Sequence, residues 1–241
     1  MSEVLPEEWI AENLRTIWTR MAEAAQRSGR SPSDVELIAV SKTFPAECVR
    51  AACAAGQHVF GESRLQEAEA KMDLLPGDLI WHFIGRVQRN KARRILPRFD
   101  MIHGVDSLRL AQQIDQLAAE LACQPQVFLQ VNIGREESKG GFDPDAFFAE
   151  ALPVFELTCV NPVGLMCIPP VGQCAEDSRR WFVALRELRD RLQADSGAPL
   201  PFLSMGMSDD FEVAIEEGAT HVRVGSSIFG KRAYRVDGEL G

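Results

Sequence analysis

The sequence lacks any excess of basic residues. Its 35 Asp and Glu side chains outnumber 26 Lys and Arg side chains in a chain of 241 residues, which gives a formal net charge of −9. Surfaces that bind nucleic acid or anionic membranes in a general way usually carry a basic excess. The composition therefore argues against both kinds of partner, while a small local anion site stays compatible with it.

Four further absences narrow the class of protein. No apolar run approaches the roughly 20 residues of a membrane span, and the acidic start of the chain is unlike a signal peptide. We therefore expect a cytoplasmic protein with no membrane segment. The six cysteines form no CxxC pair, and the four histidines show no spacing typical of metal ligands. Buried thiols are expected, and no metal site.

The chain does contain a repeated alternation of short β-rich runs and amphipathic segments of helical length. An N-terminal helix is predicted over residues 7–28. Strands are then predicted over residues 35–40, 58–60, 79–84, 101–103, 126–131, part of 157–166, 202–204 and 220–224. The helices between and after them are predicted over residues 46–55, 62–74, 88–96, 107–121, 144–151, 175–193 and 209–217.

Eight strands that alternate with helices favour an α/β fold of one particular kind. In a chain of this length they indicate a closed (β/α)8 TIM barrel with an extra N-terminal helix. We expect residues 1–241 to form this single domain. The main alternative is an open, doubly wound sheet. A count that differs from eight by one or two strands would favour that fold.

Lys42 lies where the first predicted strand leaves its sheet. The run Val35–Val40 is short, apolar and rich in β-branched residues, which is typical of a strand buried on both faces. A lysine at such a place most often packs its stem on apolar surface while its amine reaches water. The alternative is a partly desolvated amine with a lowered pKa, able to attack a carbonyl as Schiff-base lysines do.

The loops after the seventh and eighth predicted strands are rich in glycine and serine. Barrels of this kind place functional residues at the carboxyl ends of strands and often bind phosphate between these two loops. The candidate phosphate-binding residues are Ser204, Ser208, Arg223, Gly225 and Ser226. Each loop alone is more often a capped helix start, with Ser208 as the N-cap. Together they favour a ligand that carries a phosphate.

An amine and a phosphate site on the same rim point to an aldehyde that carries a phosphate. Pyridoxal 5′-phosphate (PLP) meets both requirements. The other patterns are weaker. Glu62 and Glu67 are expected to face solvent, Met205 and Met207 to pack around a turn, and the basic residues within 86–98 to form a solvated helix face or, less often, a second anion or partner site.

Six segments of the sequence, in order, resemble the pyridoxal phosphate homeostasis protein family over nearly the whole chain. They are AVSKTFP (39–45), FGESRLQE (60–67), WHFIGRVQRNK (81–91), GLMCIP (164–169), LSMGMSDDFEVAIEEG (203–218) and VRVGSSIFGKR (222–232). The family is similar to the barrel domain of bacterial alanine racemase. The resemblance therefore implies PLP fold type III without the C-terminal β-domain.

The resemblance also implies roles for individual residues. Lys42 aligns with the lysine that forms the internal aldimine with PLP, and the five residues of the two loops align with the phosphate-binding end. Ser63 stands where the family usually has an asparagine close to the cofactor. We expect PLP binding to survive this change, whether the interaction made by the asparagine is absent here or is supplied by the hydroxyl or by water.

The resemblance implies a carrier or regulator of vitamin B6 and of amino- and keto-acid balance, without substrate turnover. A two-base racemase needs an acid or base on each face of the substrate carbon. Lys42 serves one face, Tyr234 is the one tyrosine, and the sequence stops at Gly241 with no second domain expected. The alternative is a racemase or an aldolase-like lyase. Expected partners are PLP and apo PLP-dependent enzymes as recipients, and a monomer is favoured.

Overall fold

A closed barrel of eight parallel strands organises the computed structural model, which describes residues 6–230. Each strand pairs with the next along the chain, and the last pairs with the first. The strands are β1 (Glu36–Val40), β2 (Val59–Glu62), β3 (Ile80–Phe83), β4 (Met101–Val105), β5 (Gln126–Val131), β6 (Asn161–Cys167), β7 (Phe202–Met207) and β8 (His221–Val224).

Helices surround the barrel. They are α1 (Glu7–Arg27), α2 (Ala46–Ala54), α3 (Leu65–Met72), α4 (Ala92–Ile95), α5 (Leu108–Leu121), α6 (Phe147–Ala151), α7 (Arg179–Ser196), α8 (Phe211–Glu216) and α9 (Ser226–Phe229). Short 3-10 helices cover Pro32–Asp34, Leu152–Glu156 and Ala175–Ser178. None of the helices within residues 6–230 is both long enough and apolar enough to span a membrane.

The pairing of β1 with β8 decides between the two predicted folds. Glu36 is in register with His221, and Ala39 is in register with Val224, so the sheet has no free edge here. The closed (β/α)8 barrel is confirmed, and the open sheet is wrong. Because all the strands run in parallel, their carboxyl ends meet on one rim.

The core lies in the shell between the strands and the helices, where most of the apolar side chains are buried. The extra helix α1 extends this shell, since its apolar side packs against α2, α8 and α9. Ile10, Leu14 and Ile17 are almost fully buried there. The side chain of Asn13 also donates to the carbonyl of Ile228 at 3.0 Å, which ties α1 to the end of the barrel beyond β8.

Several predicted boundaries are wrong. Strand β2 continues to Glu62, whose register partner is Phe83, so Glu62 belongs to the sheet and not to a helix. Strand β7 continues to Met207, well past the predicted end at residue 204. The predicted helix over 88–96 is helical only over Ala92–Ile95, because residues 88–91 form a turn.

Three of the basic residues within 86–98 are paired with acids of the neighbouring helices. Arg86 lies 3.5 Å from Asp106, which precedes α5, and Arg89 and Lys91 bond to glutamines. Arg94 and Arg98 both bond to Glu69 of α3, at 2.5 and 3.3 Å, and Arg93 pairs with Glu120 of α5. These ion pairs connect α4 to the helices on either side of it. The cluster is therefore a mixed-charge surface, which does not favour a second anion site.

Candidate functional site

A cavity of about 260 Å³ opens among the residues at the carboxyl ends of the strands. It is lined by Val40, Lys42, Phe44, Ile84, Ile168, Met207, Ser208, Asp209, Arg223, Gly225, Ser226 and Gly230. Apolar walls with a few charged and hydroxyl groups are the usual composition of a small-molecule site. Five of the seven residues predicted for the site line this cavity; Ser63 and Ser204 do not.

Lys42 lies in a tight turn that directly follows β1. The N–H of Phe44 donates to the carbonyl of Ser41 at 3.0 Å and closes the turn. Thr43 has a φ of 71°, a left-handed conformation that costs a β-branched residue free energy. Its N–H donates to Oε2 of Glu67 at 3.2 Å. The turn carries the half-buried Lys42 into the cavity.

A buried ion pair lies next to this turn. Nζ of Lys71 donates to Oε1 of Glu62 at 2.5 Å and to the carbonyl of Ser41 at 2.6 Å. The hydroxyl of Ser41 donates to the same Oε1 at 2.7 Å. Burial raises the pKa of the Glu62 carboxyl, against the charge and hydrogen bonds of Lys71 and the hydrogen bond of Ser41. The expectation that Glu62 faces solvent is therefore wrong, because a cation from α3 balances its charge.

The loops after β7 and β8 are joined by one hydrogen bond. The N–H of Gly225 donates to Oγ of Ser208 at 3.3 Å. Helix α8 begins at Phe211 with Asp210 in the N-cap position, so the prediction that Ser208 is an N-cap is wrong. Helix α9 begins at Ser226, directly after Gly225, so its first N–H groups have no partner within the helix.

Gly225 permits a close approach that a larger residue would block. A Cβ atom at this position would lie 3.2 Å from the carbonyl oxygen of Val40 and 3.3 Å from its Cβ. The end of β1 and the start of α9 therefore lie side by side. This close approach brings the Lys42 turn and the β8 loop into one cavity.

Arg223 is a buried cation that lines the cavity. Its Nη1 donates to Oγ of Ser204 at 2.5 Å, and its Nη2 donates to the carbonyl of Cys167 at 2.9 Å. Within residues 6–230 it forms no ion pair with a carboxylate, although Asp210 is close enough to raise its pKa. Desolvation has the larger effect and lowers the Arg223 pKa. A buried charge without a counterion favours the binding of an anion.

Ser204 lies in the interior of β7, whereas the sequence predicts it as the last residue of this strand, at the phosphate-binding end. Its side chain is fully buried, and its Oγ lies 2.8 Å from Nδ1 of His103. Arg223 can only donate, so the Ser204 hydroxyl accepts from it and keeps its own proton available for Nδ1 of His103. Nε2 of His103 in turn lies 3.1 Å from Nδ1 of His82, within hydrogen-bond distance. Ser204 therefore orients Arg223 from behind the cavity.

The histidines of the barrel interior are uncharged at neutral pH. Burial lowers the pKa of His82 to about 4 and that of His221 to about 3, and it holds the pKa of His103 well below its ordinary value. They supply no counter-charge to Arg223. Within the described residues no group of His, Cys, Asp and Glu side chains is arranged to hold a metal ion.

Ser63 lies at the end of β2, outside the cavity lining. A Cβ atom on Gly85 would lie 2.3 Å from the carbonyl oxygen of Ser63, so Gly85 lets the two neighbouring strand ends touch. Ser63 is half-buried at this point. The structure places its backbone against β3 and brings its side chain to none of the other candidate residues.

The sequence prediction missed several residues around the cavity. Ile84 and Ile168 follow β3 and β6, so a strict rule of reading every strand end would have found them. Phe44 packs on Phe229 with ring centroids 5.2 Å apart and forms another apolar wall. Asp209 adds an exposed carboxylate to the lining. Tyr234 lies outside the described residues.

Comparison with known proteins bears directly on this arrangement. Residues 12–233 match the family model described as the alanine racemase, N-terminal domain. A protein of Aquifex aeolicus named pyridoxal phosphate homeostasis protein is 44% identical over 224 residues, which cover 92% of this chain and 98% of that one. The chain belongs to the pyridoxal phosphate homeostasis protein family.

Solved structures agree with the family assignment. PipY of Synechococcus elongatus, solved without PLP, is 43% identical, has a TM-score of 0.82, and is matched over 92% of this chain and 100% of its own. The same protein has been solved with PLP bound, and that structure has a TM-score of 0.79. An alanine racemase of Clostridium difficile, 16% identical with a TM-score of 0.72, shares the fold.

Proposed function

We propose that this protein binds PLP in the cavity next to Lys42 and serves PLP homeostasis without turning over a substrate. The observation that carries the proposal is the presence of two complementary groups in one cavity. Lys42 supplies an amine, and Arg223 supplies a buried cation without a carboxylate partner among the described residues. An aldehyde that also carries an anionic group satisfies both.

When bound, PLP supplies an aldehyde, with which the neutral amine of Lys42 forms a carbon–nitrogen double bond and releases one water molecule. The reaction is reversible, as storage and release require. The turn after β1 holds Lys42 in the wall of the cavity, so the amine is presented to a ligand that is already enclosed. The apolar side chains of Phe44 and Ile168 exclude water from one side.

The anionic end of PLP would be held by the loops after β7 and β8 together with Arg223. The first N–H groups of α9, the hydroxyl of Ser226 and the guanidinium of Arg223 are the donors available there. Ser208 holds Gly225 in place, and Ser204 holds Arg223. Glycine at position 225 lets the start of α9 lie close to Val40 at the end of β1, beside the Lys42 turn.

The absence of turnover is supported by the acids and bases that line the cavity. Among the described lining residues the ionisable side chains are those of Lys42, Asp209 and Arg223, and an arginine stays protonated and cannot act as a base. Asp209 is exposed, and a base poised near pH 7 is normally desolvated or placed beside another charge. The names of the relatives, which describe homeostasis, also support a non-catalytic role.

We also propose that the protein is a cytoplasmic monomer that passes PLP to apo enzymes. The amine and the candidate anion-binding groups come together in one cavity within a single chain, which favours a site formed by one subunit. None of the six cysteines, all of which lie within residues 6–230, forms a disulfide, as expected in a reducing compartment. The cavity is open to solvent through the exposed Asp209, which suits transfer of the ligand.

The first test of this function is the absorption spectrum of the protein with added PLP. Wild type is expected to show the visible band of a lysine–aldehyde adduct, well separated from that of the free aldehyde. Lys42→Ala is expected to lack this band and still to bind PLP weakly through the anion site. A band of equal strength in both proteins would contradict the role of Lys42.

A second test separates the carrier from an enzyme. The protein loaded with PLP is incubated with L-alanine and with D-alanine in deuterated water, and exchange of the α-proton and change of chirality are followed. Rates no higher than those of free PLP are expected. Sustained turnover that disappears in Asp209→Asn would show a racemase or lyase, with Asp209 as the second base.

A further inference from the structure

The residue before Lys42 is held at three points. The N–H of Ser41 donates to the carbonyl of Gly61 at 3.1 Å, its carbonyl accepts from Lys71, and its hydroxyl donates to Glu62. The side chains of Ser41, Glu62 and Lys71 are all buried. Since the N–H, the carbonyl and the hydroxyl of Ser41 all form hydrogen bonds, the backbone directly before Lys42 is held in one orientation.

The residue after Lys42 is held as well. Thr43 is in the left-handed region with a φ of 71°, and its N–H donates to Oε2 of Glu67. Glu67 is fixed in turn by Nη1 of Arg64, which donates to its other oxygen at 2.8 Å. Glu67 and Lys71 are one helical turn apart on α3. One helix therefore clamps both neighbours of Lys42.

The buried pair of Lys71 and Glu62 contributes little net free energy to the stability of the fold. Burying an ion pair requires both groups to lose their hydration, and a well-packed apolar pair is often equally stable or more stable. Oε2 of Glu62 is also buried without a hydrogen bond to any described residue. A buried acceptor left in this way loses its hydration without a hydrogen bond to compensate for it. An arrangement with these costs calls for a functional reason.

We infer that Lys71, Glu62 and Glu67 are positioning residues for Lys42. They touch the backbone on either side of Lys42 and set the place of its amine in the cavity. Lys71 and Glu62 fix the start of the turn, and Glu67 fixes its left-handed second half. This inference rests on the proposed function, since it concerns how readily Lys42 captures an aldehyde.

The decisive variant is Lys71→Met, which keeps the length of the side chain and removes its bonds to Ser41 and Glu62. Its matched control is Glu69→Gln, on the same helix, which bonds only to Arg94 and Arg98 among the described residues. Two ligands are compared: PLP, and pyridoxine 5′-phosphate, which has the ring and the phosphate but no aldehyde. Binding is measured by calorimetry, and covalent attachment by borohydride reduction and mass spectrometry.

A positioning role predicts that the variant impairs the covalent attachment of PLP and leaves the binding of pyridoxine 5′-phosphate unchanged. In Lys71→Met the rate of covalent attachment at saturating PLP should fall roughly tenfold to a hundredfold, the loss expected when a reacting group is displaced by about 1 Å. The affinity for pyridoxine 5′-phosphate should stay that of wild type, as should both quantities in Glu69→Gln. Equal losses for both ligands would mean a damaged cavity and would overturn the inference, as would unchanged attachment.

A second readout needs no cofactor. The labelling of Lys42 by acetic anhydride, followed by mass spectrometry against pH in the unliganded protein, reports how the amine is presented. Its rate should change in Lys71→Met and match wild type in Glu69→Gln. An identical labelling profile in all three proteins would contradict a positioning role even if PLP never becomes attached.

A milder variant covers the case in which Lys71→Met does not fold. Glu67→Gln leaves the buried pair intact and weakens the bond to Thr43 together with the ion pair to Arg64. Covalent attachment should then fall about fivefold, as for the loss of one hydrogen bond of about 1 kcal/mol. Attachment equal to that of wild type would refute the second half of the clamp. A wild type that never attaches PLP would instead refute the proposed function.

Discussion

Lys71 and Arg223 are both cations buried close to the carboxyl ends of the strands, and they differ in one respect. Lys71 lies against a carboxylate, since its Nζ is 2.5 Å from Glu62. Arg223 forms hydrogen bonds only to neutral groups among the described residues, the hydroxyl of Ser204 and the carbonyl of Cys167, and Asp210 acts on it without forming an ion pair. The fold pairs one of these charges directly with a carboxylate and leaves the other without such a pair, available to a ligand.

The difference shows how one barrel separates two tasks. A compensated charge holds its surroundings in place, because each partner is costly to expose alone. An uncompensated charge at a cavity wall binds an anion instead, because a ligand removes the cost of its burial. The side that carries Lys42 is thus fixed by the protein itself, whereas the side that carries Arg223 is completed by PLP.

The largest effect is expected from breaking the compensated pair. Lys71→Ala leaves Glu62 buried without its cation, which should destabilise the unliganded protein by about 3–5 kcal/mol. The double variant Lys71→Met with Glu62→Leu should recover most of this loss, because no charge is then left unpaired. Denaturant unfolding curves measure both. If Lys71→Ala were as stable as wild type, the proposed difference between Lys71 and Arg223 would be contradicted.

The uncompensated cation should behave in the opposite way. Arg223→Met is expected to change the stability of the unliganded protein little and to weaken the binding of inorganic phosphate roughly tenfold to a hundredfold, the worth of a hydrogen bond from a charged group. The control is Arg30→Met, which removes an arginine that donates to the carbonyls of Ile215 and Ala219. That variant should lose stability and keep its phosphate affinity. The reverse pattern would contradict the comparison.

A smaller effect is expected at Gly225, which lies between the Lys42 side and the Arg223 side of the cavity. In Gly225→Ala the new Cβ meets the carbonyl of Val40, so the loop must shift, at a cost of about 1–3 kcal/mol for an overpacked site. Phosphate affinity should fall together with stability. Gly197→Ala is the control, because a Cβ there has no neighbour within 4 Å; it should reduce stability alone. Unchanged phosphate affinity in Gly225→Ala would exclude this loop from the anion site.

The smallest effect is expected from the interior histidines, and only in acid. The folded pKa values of His82 and His221, about 4 and about 3, lie below the ordinary value of 6.5, so the unfolded chain binds these protons better. Their contribution to stability is full above about pH 6.5 and is lost as the pH falls toward those values, by up to about 1.4 kcal/mol per pH unit for each histidine.

His221→Phe tests this pH dependence. It should flatten the loss of stability between about pH 6.5 and pH 4, and His58→Gln at an exposed position should not. Unfolding midpoints measured across this range provide the comparison. A loss of equal steepness in wild type and His221→Phe would show that His221 does not titrate as its burial requires.

The barrel and the place of Lys42 were predictable from the sequence because they depend on local patterns. Short apolar runs bounded by glycine and proline indicated the strands, and the rule that function lies at strand ends then selected Lys42 and Gly225. The ends of strands were less predictable. Gly206 is a residue type common in loops, yet β7 continues through it to Met207, past the predicted end at Ser204.

The clamp around Lys42 could not be predicted in this way. Glu62 is followed by a sequence with helical periodicity, and this pattern predicts it as the first residue of an exposed helix. Its burial depends on Lys71, nine positions later, which reaches back to it once α3 packs against the barrel. The same holds for Ser204, whose partners His103 and Arg223 come from two other strands. Interactions between distant segments leave no periodic signal.

The most direct test of the central claim is to locate the covalent bond. Unliganded protein is mixed with PLP, reduced with borohydride and digested, and the modified residue is identified by mass spectrometry. The account predicts one dominant adduct, on Lys42, which inorganic phosphate suppresses by competition in wild type and suppresses much less in Arg223→Met. An adduct spread over exposed lysines, or found on Lys71 or Lys139 in place of Lys42, would contradict it.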